Sequence, residues 1–127
     1  MKQIFVKLPN GEVEIGHIRE MYKYYKNAVF TSKNWKHKAA LVEKVSGTKW
    51  LYVGQKFDSK YIELVEDGWT HDHCEFCFKT ITASNNESDK SYFNPNDEVW
   101  ICKNCFETFL LAHDIEEVLT TLTQKQP

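Results

Sequence analysis

The chain has 127 residues, 42% hydrophobic and 14% aromatic, which supplies a core for one domain and excludes a disordered chain. Its net charge of −2 hides a split: residues 1–60 carry 12 Lys and Arg against 5 Asp and Glu, and residues 61–127 carry 4 against 13. No run approaches the roughly 18 apolar residues of a membrane helix, and "MKQIFVKLPNGE" lacks the apolar stretch of a signal peptide, so the expectation is a cytoplasmic protein with reduced cysteines.

In chain order, "IFVKL", "PNG" and "EVEIG" read as strand, turn and strand, with Asn10-Gly11 suited to positive φ. "HIREMYKYYKNAVF" follows, with Ile18, Met21, Tyr22 and Tyr25 at helical spacing and Arg19, Glu20, Lys23 and Lys26 mostly opposite. "AALVEKV", "SGT" and "KWLYVG" suggest a second hairpin, and "KYIELVE" a further strand. Asp67-Gly68 then reads as a break where the basic half ends. The expected division is therefore a basic strand-helix-strand part at 1–66 and a second part at 67–127. No Pro/Ser/Gly-rich spacer separates them, so the two are expected to pack as one unit. Beyond the break, "FKTIT" favours a strand and "ASNNESD" a flexible loop, while "SYF" and "EVWI" flank the turn "NPND". "CKNCFETFLLAH" begins a helix. Asp114 and Glu117 form a capping-box pattern ahead of a last helix with the stripe Ile115, Val118, Leu119 and Leu122.

The chemistry concentrates in the cysteines. Cys74-x-x-Cys77 and Cys102-x-x-Cys105 are separated by 24 residues, and the chain has no other cysteine. Two residues between cysteines let both sulfurs face one ion, and zinc takes four such ligands in a tetrahedron. A disulfide or plain core cysteines are the competing readings. His73 is a weaker alternative ligand and His71 weaker still; both fit a polar approach to the site better.

A knuckle followed by a strand pair, with the second cysteine pair where a helix begins, resembles the treble-clef zinc finger, of the broad zinc-ribbon-like group. The resemblance covers about residues 71–113. It implies that Cys74 and Cys77 come from the knuckle and Cys102 and Cys105 from the first helical turn, holding one structural Zn2+. The fold expectation is thus α+β: N-terminal strands with one amphipathic helix, and a C-terminal treble-clef-like module with a final short helix.

Nothing names an enzyme. Four cysteines close a zinc site, whereas catalytic zinc keeps an open position. His71-Asp72-His73 is not the H-x-E of the zinc deaminases, and no proline immediately precedes either cysteine pair. No histidine lies in 78–101, where treble-clef nucleases carry one, and phosphate-loop and nucleophile-elbow motifs are missing. The expected function is therefore non-enzymatic: a protein–protein interaction module, in its finer form an inhibitor or immunity-type protein whose acidic half meets a basic partner. One alternative is nucleic-acid binding through residues 17–38, which hold six Lys and Arg against one acid, interleaved with Tyr22, Tyr24, Tyr25, Phe30 and Trp35. The plainer account of that segment is an ordinary amphipathic helix. An enzyme with an unrecognised site is the other alternative.

Overall fold

A computed structural model describes residues 3–124 and shows an α+β chain. Strands β1 (Phe5–Leu8) and β2 (Gly11–Glu14) form the expected hairpin, with Val6 opposite Val13 and both buried. Helix α1 (Ile15–Tyr25) follows without a loop. It starts and ends earlier than the apolar spacing suggests. The Glu14 carboxylate accepts the His17 N–H at 3.2 Å, a cap that no Ser, Thr, Asp or Asn announces. Ile18 and Tyr25 are its buried residues, as the helical stripe requires.

Strand β3 (Thr31–Lys33) is exposed throughout and carries no apolar pattern. It pairs along β9 (Ser91–Asn94), which also pairs with β10 (Val99–Ile101), giving the sheet order β10-β9-β3. A segment of the basic half thereby extends the hairpin that lies between the two cysteine pairs.

A second sheet joins β4 (Lys38–Glu43), β5 (Lys49–Leu51) and β6 (Ile62–Trp69) in the order β5-β4-β6. Asp67-Gly68 does not break this strand. The register jumps from Ala40 opposite Val65 to Lys38 opposite Trp69, so the dipeptide sits in a bulge inside β6. A Cβ on residue 68 would lie 3.0 Å from the Val65 Cβ and 3.1 Å from the Ala40 Cβ, which explains the glycine. Gly68→Ala is expected to cost about 1–3 kcal/mol by overpacking, read as a lower urea midpoint. An unchanged midpoint would show that the bulge yields freely.

Strands β7 (His71–His73) and β8 (Thr80–Thr82) form a short hairpin with Asp72 opposite Ile81. Only the second of these strands is readable from pattern. The "ASNNESD" segment contains a 3-10 turn at Glu87–Asp89, tied by the Ser84 hydroxyl donating to Asp89 at 2.8 Å. After β10 come helix α2 (Lys103–Cys105), a π-helical turn at Phe106–Leu110, and α3 (Ile115–Gln124). Asp114 caps α3 as expected, its carboxylate accepting the Glu116 and Glu117 N–H groups at 3.1 and 3.3 Å.

One core runs through both ends of the chain. Val6, Ile18, Trp35, Phe76, Ile101, Phe109 and Leu119 belong to the same buried cluster as the four cysteines. Phe76 stacks on Phe109 at 5.4 Å, and Tyr92 on Phe106 at 3.7 Å. On the surface, Arg19 of α1 grips Glu116 of α3 through a guanidinium bond of 2.8 Å and two longer ones. Hydrogen bonding to Glu116 raises the Arg19 pKa. Both groups are about half exposed, so the pair marks where the two charged halves meet more than it stabilises them. Among the described residues, no helix is long and apolar enough to cross a membrane.

Candidate metal centre

The hairpin β7–β8 and the start of α2 carry the two cysteine pairs to one point. Four sulfurs, from Cys74, Cys77, Cys102 and Cys105, lie within 4.8 Å of one another, and all four residues are buried. A tetrahedral zinc with Zn–S bonds of ~2.3 Å sets sulfurs ~3.8 Å apart. The Cys77 and Cys102 Sγ atoms are 3.7 Å apart. The donor set, its spacing and its burial therefore fit zinc, and no disulfide joins these cysteines.

Backbone geometry prepares the thiolates. In the knuckle, the Phe78 N–H returns to the Cys74 carbonyl at 2.9 Å and the Cys74 N–H to the Lys79 carbonyl at 2.9 Å. The Phe76 N–H reaches the Cys74 sulfur at 3.4 Å, and the Cys105 N–H reaches the Cys102 sulfur at 3.4 Å. Cys102 is the N-cap of α2, where a negative sulfur meets free N–H groups. The Cys102 thiol is pulled well below its ordinary value, first by the side-chain bond from Cys105 and then by those from Cys74 and Cys77. Cys74 and Cys105 are pushed up, each first by its bond with Cys102. Four thiolates this close cannot all be ionised without a cation between them.

The knuckle closes at some cost. Phe78, directly after the first pair, has φ +64°, a left-handed conformation that costs a bulky residue about 1–2 kcal/mol. Its exposed ring stacks on His17 of α1 at 4.9 Å. Two further contacts bind the N-terminal part to the same loop. The Asn10 amide donates to the Cys77 carbonyl at 3.1 Å, and His17 Nε2 donates to the Glu75 carbonyl at 2.8 Å. Asn10 thus has a second use beyond its turn. Sequence reasoning missed both it and His17, since no local pattern links them to a loop more than fifty residues away.

The chain matches no family model, and no match to it was found among curated proteins or solved structures.

His71 and His73 are exposed on one side of β7, and their sulfur-free positions lie outside the four-cysteine group. Asp72 between them turns the other way and is half-buried. Its carboxylate accepts the Trp35 indole N–H at 2.8 Å and the Trp69 indole N–H at 3.3 Å, and Lys38 Nζ lies 3.9 Å away. The alternation of the strand puts one residue of three inward. Of the interleaved aromatics in 17–38, Tyr25 and Trp35 are buried, Tyr22 and Phe30 are half-buried, and Tyr24 alone is exposed. Apart from Tyr24, the rings of this segment serve the core, and its lysines lie outside it.

Proposed function

We propose that the chain is a non-enzymatic, zinc-stapled binding module that acts through its surface on a partner protein. The observation that carries the first part is the closed donor set: four buried sulfurs around one point leave zinc no position for a substrate. In this reading the knuckle at Cys74 and Cys77 and the helical turn at Cys102 and Cys105 form a treble-clef-like unit, and the metal holds the fold.

The partner is inferred from what the acidic half leaves unpaired. Asp72, Glu87 and Glu116 have cationic neighbours within the chain. Asp97, Glu98, Glu107 and Glu117 are exposed and form no ion pair among the described residues. Glu117 also edges a groove of about 280 Å³ with Val118 and Leu122 on α3. Apolar side chains beside free carboxylates suit a basic protein that offers lysines or arginines around an apolar contact. An inhibitor or immunity-type role against such a protein is the finer form of this proposal.

Affinity purification tests it. The wild-type chain is expected to retain one basic protein in a salt-sensitive manner, and Glu107→Lys with Glu117→Lys is expected to lose it. Equal recovery by the charge-reversed chain would overturn the assignment of this face.

A further inference from the structure

Three of the five lysines of segment 17–38 gather in one place. Lys33 of β3, Lys36 and His37 of the following loop, Lys38 of β4 and Lys90 beside β9 line a single cleft of about 490 Å³, with Trp100 of β10 as a wall. No Asp or Glu lines it. Lys33 Nζ sits 4.2 Å from the Phe93 ring centre and 5.6 Å from that of Trp100. Lys38 Nζ approaches the same two rings, at 5.6 Å each. Two ammonium groups are thus drawn to the same two rings.

Compensation from the rest of the chain is incomplete. Lys38 has Asp72 at 3.9 Å and Lys90 has Glu87 at 2.7 Å, both reaching from outside the cleft. Lys33 and Lys36 have no carboxylate partner among the described residues. Cation–π attraction accounts for where Lys33 and Lys38 stand, but not for Lys36 and Lys90 facing the same space. The Trp100 indole that walls the cleft is only 2% exposed, and its N–H has no hydrogen-bond partner among the described residues.

We propose that this cleft is a binding site for an oligophosphate, a ligand carrying two or more adjacent phosphate groups. Lysine serves phosphate as a point charge, and four of them around one space exceed what a single phosphate or carboxylate would engage. The volume lies within the range of small-ligand sites. Nucleoside di- and triphosphates and a nucleic-acid strand share this chemistry. The site is independent of the acidic face and of the protein partner proposed above.

Calorimetric titration of the chain as purified, with native mass spectrometry to verify that its metal stays bound, tests the proposal. Pyrophosphate is expected to bind, more weakly as salt rises, and Lys33→Ala with Lys36→Ala should weaken it about tenfold or more. Lys103→Ala, outside the cleft, should leave it unchanged. ATP matching pyrophosphate while a single-stranded DNA oligomer binds less well would identify a free oligophosphate. Tighter binding of the DNA would identify a strand. Absence of pyrophosphate binding at low salt would overturn the site, as would equal binding by the Lys33/Lys36 variant. Tighter binding of a poly-glutamate peptide would show a site for protein carboxylates and overturn it too.

Discussion

Removing the metal is expected to unfold the cysteine-bearing half of the chain and to release the N-terminal part from it. Structural zinc sites contribute an apparent ~10–16 kcal/mol, comparable to the whole stability of about 5–15 kcal/mol of an ordinary domain. Here the four sulfurs sit inside the main core with Phe76, Ile101 and Phe109 around them. Without the cation, buried thiols must reprotonate or move apart, and the knuckle carbonyls of Glu75 and Cys77 lose the geometry that receives His17 and Asn10. Native mass spectrometry is expected to show one zinc per chain. Cys102→Ser isolates the metal contribution because serine is itself a good N-cap: it preserves the cap of α2 while replacing the soft sulfur ligand. That variant is expected to lose zinc and cooperative unfolding together. A metal-free wild type with an undiminished thermal midpoint would refute the structural role of the site.

The four-cysteine cluster was legible because cysteine is a rare residue and its spacing here is locally constrained. Elements with local signals were legible too: the Asn10-Gly11 turn, the stripe on α1 and the Asp114 cap. What escaped depends on partners far along the chain. Strand β3 is three exposed residues whose only reason to be extended is the edge of β9. Strand β7 reads as "HDH", and its direction is set by two tryptophans, one of them 37 positions upstream. Asp67-Gly68 has the composition of a turn, yet it becomes a bulge because β4 supplies pairing on both sides of it. The widened turn at Phe106–Leu110, where the Leu111 N–H reaches the Phe106 carbonyl at 3.1 Å, has no local signature either. The basic cleft is the same kind of case. Its lysines are plain in the sequence, but Lys90 and Trp100 join them only through the pairing of β3 with β9.

Trp35→Ala is expected to be among the most damaging single substitutions in the basic half, at about 3–5 kcal/mol. The side chain is 1% exposed, and its indole N–H donates to Asp72 at 2.8 Å. Its loss would leave a large cavity and strip one of two indole donors from a half-buried carboxylate. An exposed stacking residue would behave differently: its removal would weaken nucleic-acid binding and leave stability within about 0.5 kcal/mol. Urea unfolding therefore separates the two roles before any ligand is known. Trp35→Phe refines the result. It retains most of the ring volume but cannot donate, so its cost of about 1–3 kcal/mol reports the bond to Asp72. That bond also helps set Lys38, since Asp72 lies between the tryptophan and the Lys38 ammonium. If Trp35→Phe stays folded but weakens pyrophosphate binding along with stability, the aromatic and basic residues of segment 17–38 act as layers of one structure. The rings would then fix the floor, and the lysines would carry the charge.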